Sequence, residues 1–291
     1  MSYQFNRVCY LTLSNSSGEA LTIEELDILF NINKTLLGFP ARGRIDIFNL
    51  SENNIQKITK KYTDVELFAG YEGKVALIFR GNVMNFAKNH VGPTSVFTLI
   101  VKSSTAAWEG STFTKTYRAG TTPATIINEV VRSFGGVIPG QVLTSPDWVP
   151  SLADVTYTGS SRRVMDQLAR DYNFDWNIVE GEVIVTPRNQ ALLDKPPYVV
   201  TPTTGLIGSP VLTEQGVDFR LLLNPAILLG RQIEMRSEFA ELGQSNLEFR
   251  KVRNTADGIY KVMDIRLVGG TRTLDWYTDV ISWGTTNDTR N

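Results

Sequence analysis

The chain has 291 residues, 42% hydrophobic and 20% charged, so it can bury real cores and is not disordered by composition. Its 29 Lys+Arg against 30 Asp+Glu give a net charge of -1, which offers no electrostatic reason to expect nucleic-acid binding. At roughly 100–200 residues per domain the length predicts two or three domains, and no apolar stretch approaches 18 residues, so no transmembrane helix is expected.

The first part of the chain, to about residue 110, is predicted to be an antiparallel β domain. Apolar and polar residues alternate in "DILFNINK" and "GRIDIFNLS", and two strands are expected to join at Glu72-Gly73. Period-two alternation with a turn about every ten residues is typical of a sandwich or barrel. One short helix is predicted in "ENNIQKITKKY", where Ile55, Ile58 and Tyr62 fall three and four residues apart.

Residues 111–200 change pattern and are predicted to form a small α+β insert. A helix is expected in "TPATIINEVVRS", with Thr122 as N-cap, Pro123 in the first turn and Gly135 closing it. A second helix is predicted in "SSRRVMDQLARDY", capped by Ser160 or Ser161. A hairpin turning at Glu180-Gly181 follows.

Strands are predicted to return in residues 201–291, after the proline-rich boundary "DKPPYVVTP". They lie in "VDFRLLL", "RQIEMRSE", "NLEFRKVR", "GIYKVMDIRLVGG" and "WYTDVISWG". Asp257-Gly258 is a hairpin-turn signal, and the spacing of Tyr260, Val262 and Ile265 predicts a long strand with one bulge. The predicted class is therefore mainly β, with two antiparallel β domains (1–110 and 201–291) flanking a helix-hairpin domain (111–200).

The residues that usually carry metal or nucleophilic chemistry are scarce. With one histidine and one cysteine, far apart in sequence, a structural zinc site is not expected. Cys9 is interpreted as a small buried strand residue. His90 would have to serve any Ser-His-Asp mechanism, but no G-x-S-x-G motif accompanies it, and a turn before a strand is the preferred interpretation.

Carboxylate pairs and tryptophans leave a carbohydrate-related role open. Glycoside hydrolysis needs two carboxylates, and pairs exist by count: Glu24/Glu25, Glu234/Glu238 and Asp264/Asp275. Tryptophans could line a sugar groove, although packing is their default role; they are Trp108, Trp148, Trp176, Trp276 and Trp283. No motif fixes a site, so no catalytic, cofactor-binding or metal residue is assigned, no cofactor is expected, and a non-enzyme is predicted.

The stretch "TGLIGSP", residues 204–210, is excluded as a phosphate loop. It has two glycines but neither G-x-G-x-x-G nor Gly-Lys-Ser/Thr, and Pro210 prevents a helix N-terminus from forming there. We expect a turn, then a strand with Phe219, Leu221 and Leu223 on one face, ended by Asn224-Pro225.

The same region carries a resemblance. "TGLIGSP", "GVDFRLLLNPAILLGRQIEM" and "GIYKVMDIRLVGGTRTLDWYTDV" resemble the C-terminal part of baseplate hub proteins of contractile-tailed bacteriophages. "ARGRIDIFNLSENNIQKI" is similar to the first β domain of that family. Gly269-Gly270-Thr271-Arg272-Thr273 stands where the family has Gly-Asp-Thr-Arg-Gly. The likeness covers most of the chain and is patchy across 111–200.

The resemblance implies two tail-tube-like β domains per subunit and a homotrimer, hence a pseudo-sixfold ring. Such a ring would adapt the hexameric tail tube to the trimeric central spike, next to baseplate wedge proteins, in the virion tail. It would enclose a channel for tape measure and DNA, without sequence-specific DNA binding or membrane insertion. Two alternatives remain open: a hub or spike component of a pyocin-like injection system, and a tail-associated, carbohydrate-active cell-wall protein.

Overall fold

The computed structural model describes residues 6–243 and 256–285 of the chain. Strands form 52% and helices 16% of the structure, which confirms the mainly-β class. The strand predicted in "NLEFRKVR", residues 246–253, lies outside the described residues.

The first part of the chain builds seven strands and one helix. Glu72-Gly73 forms the predicted turn, since Tyr71 pairs with Lys74 across it. The following strand runs much further than predicted. The elements are β1 (Arg7–Ser14), β2 (Ala20–Ile23), β3 (Ile28–Thr35), β4 (Arg42–Phe48), α1 (Glu52–Lys61), β5 (Asp64–Tyr71), β6 (Lys74–Val91) and β7 (Thr94–Lys102).

Helix α1 forms where its apolar spacing predicted it. The Ser51 hydroxyl accepts a bond from the Asn54 amide at 3.4 Å, and Glu52 lies in the first turn, where the helix dipole favours an anion. Ile55 and Ile58 are buried against the sheet. Tyr62 ends the helix as its C-cap and packs partly buried on the same core.

The insert contains the two predicted helices and the hairpin, and adds three strands that the sequence did not indicate. A short helix, α2 (Thr105–Gly110), directly precedes it and shares its core. The elements of the insert are β8 (Thr112–Tyr117), α3 (Pro123–Ser133), β9 (Ile138–Val142), β10 (Val155–Ser160), α4 (Ser161–Tyr172), β11 (Phe174–Val179) and β12 (Glu182–Pro187). Strands β8 and β10 pair with each other, while β9 lies parallel to β12 in a three-stranded sheet.

Local signals place the ends of the insert elements. Thr122 caps α3, and Ser160 rather than Ser161 caps α4, accepting from the Arg163 amide at 3.3 Å. Helix α3 ends at Phe134, and the glycine with a positive φ (74°) is Gly136, one residue beyond the Gly135 that was expected to close the helix.

The last part of the chain returns to strands. Its elements are β13 (Tyr198–Val200), a 3₁₀ turn (Pro202–Thr204), β14 (Leu206–Leu212), β15 (Gly216–Leu222), β16 (Gln232–Met235), β17 (Glu241–Leu242), β18 (Gly258–Gly270) and β19 (Trp276–Gly284). The predicted bulge in the long strand lies at Met263, where the pairing of β18 with β19 shifts register.

The two β parts share one sheet of fourteen strands. Its order is β17-β14-β15-β19-β18-β3-β4-β7-β6-β5-β1-β2, with β16 also on β18 and β13 on β16. The joint is the antiparallel pair β18–β3, in which Asp264–Gly270 face Thr35–Leu29. Because the order has two ends, the described sheet does not close on itself, and of the two predicted alternatives a barrel is not formed.

Two hydrophobic cores follow from this arrangement. One core combines residues of both β parts, from Cys9 in β1 to Val280 in β19, and includes Ile28, Phe30 and Ile32 of the alternating strand β3. The other core lies within the insert, between Ala107 and Val185, and is formed by α3, α4 and the hairpin. The insert is therefore packed around its own centre, whereas the flanking β parts are packed around a common one.

Polar contacts fasten the insert to the sheet. Lys261 of β18 is fully buried, and its ammonium donates to Asp175 of β11 at 2.8 Å. Burial lowers the pKa of Lys261, while Asp175 raises it. The Asn177 side-chain amide donates to the Thr35 and Phe39 carbonyls, the latter at 2.9 Å. None of these partners could be paired from the sequence, because 86 residues separate Lys261 from Asp175.

Candidate functional site

The strongest candidate surface is the open face of the joined sheet. A groove of about 880 Å³ runs across β14, β15, β19, β18 and β3, on the face opposite the shared core. Polar side chains, among them Asp218, Asp264 and Asp279, lie along a lining that is otherwise mostly apolar, because alternate residues of each strand point away from the core. Apolar side chains flank it: Phe39 is 53% exposed, Ile207 40% and Ile281 41%.

Two arginines on this face hydrogen-bond to side chains of neighbouring strands. Arg220 of β15 makes two bonds to Asp279 of β19, at 2.6 and 3.1 Å, and lies 3.9 Å from the centre of the Tyr277 ring. Arg266 of β18 donates to the Asn31 side-chain oxygen at 3.2 Å. A two-pronged arginine–carboxylate contact holds the register of neighbouring strands. In this part of the face, the arginine side chains and their partners Asp279 and Asn31 are hydrogen-bonded to one another.

Two aspartates on the groove floor differ from their neighbours. Asp218 and Asp264 both face Ile281, from opposite sides of β19. They lie two strand spacings apart, about 10 Å between Cα atoms. Burial, and then the Asp264 charge, raise the pKa of Asp218; burial likewise raises the pKa of Asp264. One buried carboxylate oxygen of Asp218 has no hydrogen-bond partner among the described protein atoms. No sequence signal linked these two carboxylates.

The structure does not bring the carboxylate pairs suggested by the sequence into a cleft. Glu24 and Glu25 are both exposed at the end of β2. Glu234 is buried and bonded to Arg236 at 3.0 Å, whereas Glu238 is exposed. Asp264 and Asp275 lie towards opposite ends of the β18–β19 hairpin, because Asp264 faces Ile281 and Asp275 precedes β19.

His90 and Cys9 lie away from this groove. His90 is exposed one residue before the end of β6, and among the described residues no serine or carboxylate hydrogen-bonds to its ring. The turn is formed by Gly92-Pro93, so His90 belongs to the strand rather than to the turn. Cys9 is buried in β1, and burial raises the pKa of its thiol to about 12. The thiol is therefore protonated at neutral pH.

The tryptophans serve packing. Trp108 and Trp176 lie 5.3 Å apart in the insert core, and Trp148 lies 5.5 Å from Phe174 there. Trp276 packs edge-on against Phe30, 5.7 Å between ring centres, in the shared core. Trp283 is partly buried against that core. All five lie within the described residues, and none lines the groove.

The stretch from Thr204 to Pro210 begins a strand, as expected. Thr201 and Thr204 bond each other reciprocally around the 3₁₀ turn, and β14 then runs from Leu206. Phe219, Leu221 and Leu223 are buried on one face, and the chain leaves β15 before Asn224-Pro225. The stretch therefore leads from a 3₁₀ turn into a strand, not into an α-helix.

Within residues 6–243 and 256–285, no three His, Cys, Asp or Glu side chains gather as a possible metal site. None of the helices described in this part of the chain has the length and apolarity that crossing a membrane requires.

The fold is that of phage tail proteins. It is similar to a tail protein from Neisseria meningitidis MC58, with a TM-score of 0.59 at 8% identity over 96% of this chain and 97% of that one. It is equally similar to the 43 kDa tail protein of prophage MuSo2 from Shewanella oneidensis, with a TM-score of 0.58 at 8% identity and the same coverage.

Sequence comparison identifies the family. The model of the family described as "Baseplate hub gp41" matches residues 8–244, most of the chain. The chain therefore belongs to the baseplate hub gp41 family, and is a structural component of a bacteriophage tail baseplate. The hub resemblance inferred from the motifs is confirmed.

A third solved structure comes from another system. The E. coli c3393 protein, described as a component of the type VI secretion system with structural similarity to the T4 tail proteins gp27 and gp5, has a TM-score of 0.54 at 10% identity. That likeness covers 90% of this chain and 74% of the other. No curated protein matches the sequence.

Proposed function

We propose that three copies of this chain form a ring with pseudo-sixfold symmetry, which adapts the hexameric tail tube to the trimeric central spike. The observation that carries this proposal is the shared sheet: one chain supplies two β parts, joined edge to edge by β18 and β3. Three such chains would present six β parts around one axis. The domain division at 1–110, 111–200 and 201–291 belongs to the same proposal.

The comparisons support the partners in this proposal. The c3393 protein is related by its description to gp27 and gp5, and another similar structure, with a TM-score of 0.52, is a Francisella PdpA–VgrG complex. Its chain is longer, since this chain covers 58% of it. We infer that this chain binds a spike protein on one side and tail-tube proteins on the other, beside wedge proteins, while tape measure and DNA pass through the ring.

A mechanical rather than catalytic role fits the open face of the sheet. Its arginines bond to Asp279 and Asn31 on neighbouring strands, which stiffens the sheet and occupies these polar groups. A ring that carries the load of a contracting tail needs stiffness between its strands.

The mass of the native protein tests the proposal. Light scattering or native mass spectrometry is applied to the 32.5 kDa chain alone and mixed with the spike protein of the same phage. A trimer, or a monomer that becomes a three-to-three complex with the spike, supports the ring. A chain that stays monomeric with spike and tube proteins present contradicts it. A tail fibre protein of the same phage is the matched control, because it should not bind.

A further inference from the structure

Strands β6 and β18 have the same construction. Each is long, each forms a hairpin with the next strand, and each bulges at a methionine, Met84 in β6 and Met263 in β18. Before the bulge, each pairs on its outer edge with a preceding strand. Lys74–Asn82 pair with β5, and Gly258–Lys261 pair with β16.

The equivalence extends across three more strands on each side. Beyond β6 the order is β7, β4, β3, and beyond β18 it is β19, β15, β14, with every neighbour antiparallel. The rows of residues that face one another across these strands also correspond, when residues are counted from each bulge. Ala87, Thr98, Asp46 and Leu29 form one row, and Arg266, Asp279, Arg220 and Ile207 form the equivalent one. The chain therefore contains one unit twice.

The two units differ after the bulge. Residues Asp264–Gly270 of β18 pair with β3, but the same edge of β6, residues 85–91, has no strand beside it among the described residues. The backbone amides of Phe86 and His90 instead donate hydrogen bonds to the side-chain oxygens of Asn85 and Asn89, both at 2.8 Å. Exposed apolar side chains accompany this edge: Met84 is 47% exposed, Phe86 45% and Val91 64%.

Strand β14, the equivalent of β3, is also largely open. Within residues 6–243 and 256–285, its outer edge meets only β17, a strand of two residues, opposite Val211 and Leu212. Both residues of β17 are exposed, Leu242 to 57%. One copy of the chain thus has the β18–β3 joint completed. Among the described residues, the β6 half of the equivalent joint is uncovered and the β14 half meets β17 alone.

The edge at the other end of the described sheet is short, because β2 has only four residues. The open edge of β6 has no proline or glycine from Val83 to Val91. Its one lysine, Lys88, is already paired with Glu52 of α1. An unprotected edge of this length would attract any strand unless the working assembly covers it.

We infer that residues 85–91 of β6 in one protomer pair antiparallel with β14 of a second copy, replacing β17 there. The contact repeats between chains the β18–β3 joint that exists within each chain. It is head-to-tail, so it closes into a ring when the rotation allows. This inference rests on the proposed ring, and names the strands that close it.

The equivalence fixes the register of the contact. Gly270, seven residues after the Met263 bulge, faces Leu29. Val91 is seven residues after Met84, and Ile207 is the equivalent of Leu29, so Val91 of one copy should face Ile207 of the next. Facing residues of paired strands have Cα atoms about 4.5–5.5 Å apart, within the range that a disulfide spans.

Disulfide trapping tests this register in the full-length chain. The variant Val91→Cys/Ile207→Cys is made together with Cys9→Ala, which removes the single native thiol. On mild oxidation we expect loss of the monomer band and covalent dimers and trimers, all reversed by reductant. The control His90→Cys/Ile207→Cys, also with Cys9→Ala, places one thiol on the opposite face of the strand, and should leave the monomer band.

The outcomes separate this inference from the ring itself. A native trimer whose Val91/Ile207 pair does not cross-link, or cross-links no better than the control, overturns the strand contact and leaves the trimer standing. A chain that is monomeric throughout overturns both. Hydrogen exchange gives a second measurement in the unmodified protein. The amides of residues 85–91 and 206–209 should exchange more slowly in the trimer than in dissociated protein, and equal rates would count against the contact.

Discussion

At the scale of single residues, the sheet and the insert are held together by charges that are costly to leave alone. Lys261 and Asp175 are 0% and 2% exposed, so neither can be solvated if its partner is lost. Arg188 also approaches Asp175, at 3.6 Å from a half-exposed position. Breaking such a pair is usually worse than replacing it entirely, because one buried charge is then left uncompensated.

Lys261→Met should therefore lower the free energy of unfolding by about 3 kcal/mol. The double variant Lys261→Met/Asp175→Leu should recover most of that loss, because no buried charge remains. Urea denaturation measures both. Lys61→Met is the matched control. Its ion pair with Glu19 is more than half exposed on both sides, so its loss should cost less than about 1 kcal/mol. A double variant no better than the single one would contradict this account.

The groove floor offers the opposite case, a carboxylate whose removal should help. Asp218→Asn should raise the free energy of unfolding at neutral pH by about 1 kcal/mol, because a neutral amide costs less to bury than an ionised carboxylate and removes the repulsion by the Asp264 charge. The folded-state pKa of Asp218 lies above the ordinary value of 3.8, so the wild type loses stability as pH rises through that folded-state pKa. The gain should disappear below pH 3.8, and thermal melts of both proteins across pH measure it.

At the scale of elements, what could be predicted was what is local. The turn at Glu180-Gly181 could be predicted from the sequence because a two-residue hairpin loop requires positive φ at both positions. In the structure the two residues have φ values of 53° and 90°. Helices α1, α3 and α4 carry caps within a few residues of their apolar faces. By contrast, β3 and β18 pair although more than 220 residues separate them, and the sequence of neither strand predicts the other as its partner. The groove and its two aspartates depend on that pairing, so they were out of reach as well.

The N-cap of helix α4 gives a testable prediction, because the sequence offered two adjacent serines as candidates for it. Ser160 accepts from the Arg163 amide, while Ser161 is buried and bonds the Ser133 hydroxyl at 2.8 Å. Ser160→Ala should cost about 1 kcal/mol of unfolding free energy, and Ser160→Asp should restore it, as aspartate caps equally well. Chemical denaturation gives the values. Equal stability of the alanine and aspartate variants would show that the cap contributes nothing.

At the scale of the whole molecule, the two β parts share one sheet although an insert separates them in sequence. Their apolar residues meet in a single core, and in the part of the chain that the structure describes β18 alone covers the outer edge of β3. A fragment of residues 1–110 should therefore remain unfolded or aggregate when expressed alone. Co-expression with residues 111–291 should recover soluble complex. Circular dichroism and proton NMR dispersion report the outcome, and a well-dispersed spectrum of the isolated fragment would show that its sheet needs no partner.

The β3–β18 joint also sets a timetable for biosynthesis. When β3 leaves the ribosome, the strand that completes its edge is still more than 220 codons away. At about 5–20 residues per second, that interval is roughly ten to fifty seconds. During this interval the edge of β3 that later pairs with β18 is unpaired. Chaperones, or the insert of the same chain, must then protect this edge from aggregation. A slow, late pairing step of this kind is expected for a fold of high contact order. The strands synthesised last therefore determine whether the strands synthesised first reach their folded state.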